Sequence, residues 1–129
     1  FKEVQNLASG NPKIILRQNV EAKELSALYH NALFCVYPSV FEGFGIPILE
    51  AFSFGKTVAT SNISSMPEVG GDAAIYFDPT ETTSIATALK TLLEPMNRHE
   101  LERKITGRLA IFKTPRLLEQ YEKIYASLL

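Results

Sequence analysis

The sequence has little cysteine, little net charge and no long apolar run. Its 129 residues include one cysteine, Cys35, so an internal disulfide is excluded and a reducing compartment is favoured. The formal net charge of −1 argues against a nucleic-acid partner and against bulk-charge attraction to an anionic membrane. No apolar stretch approaches the length of a membrane-spanning helix, and no signal peptide is visible. These absences predict a cytoplasmic protein.

What the sequence does contain predicts one folded domain. Hydrophobic residues make up 46% of the chain and charged residues 21%, which is typical of a protein with a packed core rather than a disordered one. A length of 129 residues is that of a single domain. The chain begins at Phe1 rather than at methionine, and we therefore expect a fragment of a longer protein.

Apolar runs that alternate with helix-periodic segments predict a layered α/β fold. The predicted strands are residues 13–17, 33–37, 57–60 and 74–77. The predicted helices are residues 1–9, 22–31, 47–54, 81–93, 98–112 and 115–128, with a further short helix that starts near residue 65. Ser65 and Glu68 have capping-box spacing for that short helix, and Asp78 is expected to cap the helix at 81–93. The alternation favours a Rossmann-like parallel sheet with helices on both faces, in three layers.

One strand-to-helix connection has the features of an anion site. After strand 33–37 the chain crosses a loop with Gly43 and Gly45 and enters a helix that begins near a proline. The free N–H groups and dipole of a helix N-terminus attract phosphate, and open parallel sheets bind ligands at their carboxyl edge. Glu42, before the turn, and Glu50, expected in the first helical turn, can accept hydrogen bonds from sugar hydroxyls. The loop suits a nucleotide diphosphate sugar, although a glycine turn that serves only geometry is an equal alternative from these residues alone.

The same stretch resembles a known enzyme family. Residues 37–79 read YPSVFEGFGIPILEAFSFGKTVATSNISSMPEVGGDAAIYFDP and are similar to the donor-binding, C-terminal half of the family-4 retaining glycosyltransferases with the GT-B fold. Glu42 and Glu50, with seven residues between them, match that family's paired glutamates. The resemblance extends from about residue 12 to residue 125, so the whole chain is interpreted as one nucleotide-sugar (donor) binding domain.

The resemblance implies a hexosyltransferase that moves a sugar, with retention of configuration, from a nucleotide diphosphate sugar to a glycan or lipid-linked acceptor. It implies neither a metal nor another cofactor. Glu42 is the candidate catalytic residue and would contact hydroxyls of the donor sugar, while Glu50 would bind the ribose. Backbone amides of residues 43–46 would meet the phosphates. The implied donor-binding residues are Ser39, Glu42, Gly43, Phe44, Gly45, Ile46 and Glu50.

Several of these residues have a structural alternative. Ser39 would either line the pocket or cap the loop, and Glu50 could instead complement the helix dipole. The Phe44 side chain is expected to pack rather than to stack on a base. Glu68 also matches the family pattern, but the capping box would explain it fully.

The chain departs from the family mainly by what it lacks. The family's donor domain has six strands, and the first two, near the middle of the sheet, would precede Phe1. The fragment must therefore close up its sheet, pair with another chain through the exposed edge, or leave that edge free. The arginine and lysine that clamp the diphosphate and the N-terminal, acceptor-binding domain are also missing. Arg17, Gln18 and Asn19 stand where relatives usually have a glycine near the base, and Thr114 replaces a tryptophan.

Two other functions remain open from the sequence. The chain could be a non-catalytic nucleotide-sugar binding module. It could also be a glycoside hydrolase that uses Glu42 and Glu50 as an acid/base pair about 5–10 Å apart. We expect the isolated chain to bind nucleotide weakly and to transfer nothing, and we expect a lipid-linked acceptor to bring the longer protein to the membrane as a peripheral protein.

Overall fold

The sheet is small and parallel. The protein is described here by a computed structural model that covers residues 2–128, without the side chains of residues 114–117. Its three strands are β1 (Cys35–Tyr37), β2 (Val58–Ser61) and β3 (Ala74–Phe77), in that order across the sheet. Cys35 pairs with Val58, which pairs in turn with Ala74, so β2 is the central strand.

Helices connect the strands and cover them. In the described part of the chain they are α1 (Lys2–Ser9), α2 (Ala22–Asn31), α3 (Ile46–Ser53), α4 (Met66–Gly70), α5 (Thr82–Leu93), α6 (Pro95–Glu102), α7 (Ile105–Ile111) and α8 (Thr114–Ser127), with a short 3-10 turn at Gly71–Ala73. The bounds of α1, α2, α3, α5 and α8 agree to within one residue with the predicted helices, apart from Phe1, which lies outside the described residues.

Neighbouring residues of the central strand pack on opposite faces of the sheet. Val58 belongs to a cluster that α3 and α4 build on one face, and Ala59 belongs to a cluster that α5 builds on the other. Phe52 and Met66 on the first face and Leu92 on the second are almost fully buried. Burying a side chain of this size contributes about 1.5–3 kcal/mol, so the two clusters are the main source of stability. Helices lie on both faces, and the predicted three-layer α/β fold is confirmed.

The strand predicted at residues 13–17 is wrong. This segment has no regular secondary structure, and Ile14, Ile15 and Leu16 are 46%, 73% and 39% exposed. A strand needs a neighbour for its backbone hydrogen bonds, and within residues 2–128 this segment pairs with no strand of the sheet. The outer edge of β1 also has no strand beside it in that part of the chain, and Val36 there is half exposed. In the chain taken by itself this edge is free, and the expected pairing of the edge with another chain stays a prediction.

The helix predicted at residues 98–112 is in fact two helices. α6 begins earlier, at Pro95, and a turn at Arg103 and Lys104 separates it from α7. Residues four apart in one helix lie on the same face. Leu101, however, packs against the α5 cluster, whereas Ile105 is buried in the cluster on the other side of the sheet. Because the helix is broken, this part of the chain can place apolar side chains on both faces of the sheet.

Asp78 does not cap α5 as predicted. Its Oδ1 accepts hydrogen bonds from the backbone N–H and the hydroxyl of Thr80, at 2.8 and 2.6 Å. These two bonds close a local turn before the helix, and they lower the pKa of the Asp78 carboxyl. The residue that precedes the helix is Glu81, and its side chain makes no capping bond. The prediction failed because turn formation competes with capping for the same aspartate oxygen.

The last helix has an apolar face that packs little. Its described apolar side chains, each more than half exposed, are Leu118, Tyr121, Ile124, Tyr125 and Leu128. The side chains of Thr114 and Leu117, which the sequence predicts to pack, lie outside the described part of the structure. Within residues 2–128, no helix has both the length and the apolar character that crossing a membrane requires.

Candidate functional site

The candidate site lies where the chain leaves β1 and enters α3. Hydroxyl groups at the end of the central strand fix the beginning of this connection. Thr60 Oγ1 donates to the Tyr37 carbonyl at 2.8 Å, and Ser61 Oγ donates to the Ser39 carbonyl at 2.5 Å. Both donors are fully buried, so these bonds are shielded from water. The start of the loop is therefore held against the carboxyl edge of the sheet.

Two serines hold the backbone of Glu42. Ser64 Oγ donates to the Glu42 carbonyl at 2.7 Å and accepts from the Glu42 N–H at 3.3 Å. Ser65 Oγ donates to the same carbonyl at 3.1 Å. Ser65 has a helical backbone conformation and makes no capping bond, so the predicted capping box with Glu68 is wrong. The capping box therefore does not explain the presence of Glu68.

The Glu42 carboxylate is oriented through one of its two oxygens. Tyr37 Oη donates to Glu42 Oε1 at 2.5 Å, and Ser39 Oγ lies 3.2 Å from the same oxygen and 3.2 Å from the Phe41 carbonyl. The other oxygen, Oε2, has no hydrogen-bond donor among the described residues. Burial, followed by the hydrogen bond and charge of Glu42, raises the pKa of the Tyr37 phenol. Ser39 thus contacts both the loop backbone and the candidate catalytic carboxylate, and its role in lining a donor pocket stays a prediction.

Glu50 is held in the same manner by a second tyrosine. It lies in the second turn of α3 rather than in the first, which contains no acidic residue, so the alternative role at the helix dipole has no support. Tyr29 Oη donates to Glu50 Oε2 at 3.0 Å, and the Tyr29 ring stacks on Phe54 with centroids 5.4 Å apart. Burial, followed by the bond to Glu50, raises the pKa of Tyr29. In the described part of the chain Glu50 Oε1 accepts no hydrogen bond.

The two loop glycines differ in what their backbone requires. Gly45 has φ 101° and ψ 44°, a backbone conformation that residues other than glycine rarely adopt. A Cβ there would also lie 3.3 Å from the Met66 sulfur. A Cβ at Gly43 would meet nothing within 4 Å, and its φ is not in the left-handed region. Gly45 is needed by the fold, whereas the space beside Gly43 is open to a ligand.

The entrance to α3 presents unused backbone donors. The amides of residues 43–46 find no acceptor among the described residues, and Pro47 has no N–H. The first intrahelical bond there runs from the Ile48 N–H to the Gly45 carbonyl, at 3.0 Å. Free N–H groups and the positive end of the helix dipole together form a place where an anion such as a phosphate can bind.

Phe44 connects the loop to the C-terminal part of the domain. Its ring meets Phe112 edge to face, with centroids 5.8 Å apart, and remains about half exposed. The guanidinium of Arg108 lies 5.2 Å from the centre of the Phe112 ring and also donates to the Val69 carbonyl at 3.0 Å. These contacts agree with the packing role that was expected for the Phe44 side chain.

Residues 17–19, which the resemblance places near the nucleotide base, lie on the exposed surface of the described chain. Arg17 pairs with Glu24 at 3.2 Å, and both side chains are largely exposed, so the pair contributes about 0–1 kcal/mol at most. Asn19 has φ 52°, in the left-handed region. Among the described residues, no group of three or more histidine, cysteine, aspartate or glutamate side chains is placed to hold a metal ion.

Sequence reasoning missed the groups that orient the two glutamates. Tyr29 lies inside the predicted helix 22–31 and Tyr37 ends the predicted strand 33–37. Ser64 falls between the predicted strand 57–60 and the short helix that starts near residue 65. Spacing could not reveal these partners, because the contacts join residues 21, 5 and 22 positions apart. Both tyrosines also line an apolar groove of about 320 Å³ along the free edge of β1.

Known proteins resemble this chain over most of its length. The family model for glycosyl transferases group 1 matches residues 1–95. O-antigen chain mannosyltransferase B of Escherichia coli is 43% identical over 82 residues, which cover 64% of this chain and 22% of that protein. O-antigen chain mannosyltransferase RfbU of Salmonella typhimurium is 38% identical over 80 residues, or 62% of this chain and 23% of that protein.

A solved structure matches the fold. Sucrose-phosphate synthase from Thermosynechococcus elongatus superposes with a TM-score of 0.80 at 21% identity, over 98% of this chain and 34% of that one. At this identity the match concerns the fold alone. The chain spans about a quarter of the length of the two curated relatives and a third of the solved structure.

Proposed function

This chain belongs to the glycosyl transferases group 1 family, and from that premise we propose that it is the donor-binding domain of a retaining GT-B enzyme. The enzyme would transfer a sugar from a nucleotide diphosphate donor to a glycan or lipid-linked acceptor. The match to sucrose-phosphate synthase over nearly the whole chain supports the fold of the proposed domain. The short span of its relatives that this chain covers supports a longer protein that supplies the acceptor domain and the basic phosphate clamp.

One observation carries the proposal. Two glutamates lie on either side of a set of unused amides, and each has one oxygen held by a tyrosine and one oxygen without a donor in the described chain. Glu50, on α3, would accept hydrogen bonds from the ribose hydroxyls. Glu42, on the loop, would accept them from the donor sugar. The amides of residues 43–46 would bind the diphosphate between these two groups.

This division of roles follows from the chemistry of the reaction. Negative charge develops on the diphosphate as it leaves, and preorganised N–H dipoles stabilise such charge without having to reorient. The tyrosine bonds hold each carboxylate in one orientation before the donor arrives, which reduces the entropy lost on binding. Glu42 is therefore the proposed catalytic residue, and its work is to position the sugar. The helix dipole and the basic residues of the longer protein would meet the phosphate charge, so the proposal needs no metal or other cofactor.

The sugar that we propose is mannose. The two curated relatives described above are both named as mannosyltransferases, and their similarity to this chain extends over more than half of it. Competition between GDP-mannose and UDP-glucose for the site tests this choice. We further propose a cytoplasmic location, consistent with the single cysteine, and peripheral contact with the membrane if the acceptor is lipid-linked.

The two alternative functions predict different binding or turnover from a glycosyltransferase. A glycoside hydrolase would have no use for amides placed to bind a diphosphate, and the family assignment favours transfer. A non-catalytic module would bind the donor equally well in the longer protein and show no turnover. The isolated chain lacks a facing domain to hold the acceptor, and proximity alone is worth roughly 7–11 kcal/mol, so we expect it to bind but not to transfer.

The test compares the two glutamates by calorimetry with a nucleoside diphosphate. Glu50→Gln keeps an acceptor for Tyr29 but loses the charge, and it should weaken binding by about 1–3 kcal/mol. Glu42→Ala should leave that affinity nearly unchanged and sharply reduce turnover in the longer enzyme. Glu122→Gln, an exposed glutamate on α8, is the matched control. If Glu50→Gln binds as tightly as the parent chain, the ribose assignment is refuted.

A further inference from the structure

Ser64 has an unusual backbone conformation. Its φ is 56°, and Asn19 is the other non-glycine residue with positive φ in the described part of the chain. Such a conformation is unfavourable for a serine, because its Cβ approaches the following carbonyl. Asparagine tolerates this region well, but serine has no such preference, and Ser64 is exposed rather than forced into place by a tight core. Some other interaction must therefore offset the cost.

The compensating interaction is with Glu42. The single hydroxyl of Ser64 serves as donor to the Glu42 carbonyl at 2.7 Å and as acceptor for the Glu42 N–H at 3.3 Å. A hydroxyl is the smallest side-chain group that can both donate and accept. The pair of bonds joins the connection after β2 to the loop after β1, across 22 residues of chain. It fixes the backbone of the glutamate itself, rather than some other part of the loop.

We propose that Ser64 is a positioning residue that places the Glu42 carboxylate for the donor sugar. Ser64 needs no contact with the substrate for this. With the backbone of Glu42 fixed, its carboxylate meets the Tyr37 hydroxyl at 2.5 Å. Without the Ser64 hydroxyl, the Glu42 N–H loses its acceptor and the Glu42 carbonyl keeps only the longer bond from Ser65, at 3.1 Å, so the carboxylate is held less firmly. The functional part of this inference rests on the proposed role of Glu42, whereas the structural part can be tested without any substrate.

Two variants separate the hydroxyl from the backbone. Ser64→Gly removes the hydroxyl and suits the positive φ, so it should fold. Ser64→Ala removes the same hydroxyl and keeps the backbone cost. Ser9→Ala is the matched control, because the Ser9 hydroxyl bonds only to the Asn6 carbonyl in its own exposed helix. The first readout is hydrogen exchange of the Glu42 amide, which should speed up roughly tenfold in both Ser64 variants and not in the control.

The second readout follows the carboxylate. In chain with labelled tyrosine, the Tyr37 phenol should titrate at lower pH in both Ser64 variants, since Glu42 contributes to its raised pKa. Tyr29 is an internal reference, because its partner Glu50 lies on α3 and should be unaffected. If the Tyr37 titration stays unchanged while the Glu42 amide exchanges faster, Ser64 holds the backbone without positioning the carboxylate, and the inference is overturned.

The functional readout uses the longer enzyme. Ser64→Gly should reduce kcat by tenfold or more while nucleoside diphosphate affinity stays within about twofold, because Glu42 faces the sugar. Unchanged kcat in Ser64→Gly, in an enzyme that Glu42→Ala inactivates, overturns the positioning role. If Glu42→Ala itself keeps full activity, the proposed function fails instead, and the two outcomes are distinguishable.

Discussion

Replacing Gly45 by alanine should destabilise the domain through the backbone of a single residue. Gly45 precedes α3 with φ 101° and ψ 44°, far from the regions that alanine prefers. Holding a residue in such a conformation costs of the order of 1–3 kcal/mol. The new Cβ would also lie 3.3 Å from the sulfur of fully buried Met66, which must shift by a few tenths of an ångström. Because a thioether is flexible, the second effect should be the smaller one.

Gly43→Ala provides the matched control in the same loop. Its Cβ would meet nothing within 4 Å, and its φ is not in the left-handed region. Reducing the freedom of the unfolded chain should make this variant neutral, or more stable by up to about 1 kcal/mol. Urea unfolding of the parent and both variants measures the difference in the free energy of unfolding.

The functional readouts of the two variants should differ as well. Gly43→Ala places a methyl group in the space where we propose that the diphosphate approaches, so it should weaken nucleoside diphosphate binding without loss of stability. Gly45→Ala should weaken binding together with stability, because it moves the entrance of α3. Equal unfolding free energies for the two alanine variants would refute the claim that Gly45 is required by its backbone conformation.

Two further predictions concern stability away from the site. Tyr76 Oη donates to the Gly71 carbonyl at 2.6 Å, and burial raises the Tyr76 pKa from 10.0 to about 12. The protonated Tyr76 phenol therefore stabilises the fold fully below pH 10, and this stabilisation is lost as the pH rises towards 12. Tyr76→Phe should lower the free energy of unfolding at neutral pH by about 0.5–1.5 kcal/mol. In urea unfolding at increasing pH, the variant should also lose less stability above pH 10 than the parent chain does. Arg98 is 8% exposed and donates to the Leu92 carbonyl at the end of α5, at 3.0 Å. Arg98→Met should cost about 1–3 kcal/mol in thermal or urea unfolding. Arg103→Met, at an exposed arginine just after α6 that donates to the His99 carbonyl, should cost under about 0.5 kcal/mol, and similar losses in both variants would contradict the stabilising role of buried Arg98.

Local patterns were sufficient for the elements that pack in the described core. β3 was predicted at residues 74–77 and found there, and β2 was displaced by one residue from its predicted range. β3 is a short apolar run and β2 is rich in β-branched residues, and both lie between clear turn signals, so adjacent residues are sufficient to identify them. The helix that enters the site was found because a glycine and a proline mark its start.

The other predictions were wrong because they depend on contacts between residues that are far apart in the sequence. Residues 13–17 have the apolar run of a strand, but no strand lies beside them in the described chain. Ser65 and Glu68 have the spacing of a capping box, yet the Ser65 hydroxyl bonds to Glu42 in another loop. A local motif competes with every partner that the fold brings near, and the sequence does not reveal those partners.

The candidate site divides along the same line. Glu42 and Glu50 were identified from their spacing and from family resemblance, which report chemistry. The tyrosines that orient them come from α2 and β1, and the serine that holds Glu42 comes from the loop after β2. These supporting residues belong to no recognisable motif, and they meet the two glutamates only once the chain has folded. This is why the carboxylates could be predicted and their fixed orientation could not.

The most direct test of the central claim is an NMR titration of the isotope-labelled chain with GDP, and separately with UDP. The account predicts saturable shifts of the amides of residues 43–46 and of the residues around Glu50, for at least one of the two nucleotides. Free mannose, which has no phosphate, should leave those amides unmoved. Shifts confined to other surfaces, or no shifts at millimolar nucleotide, would contradict the account.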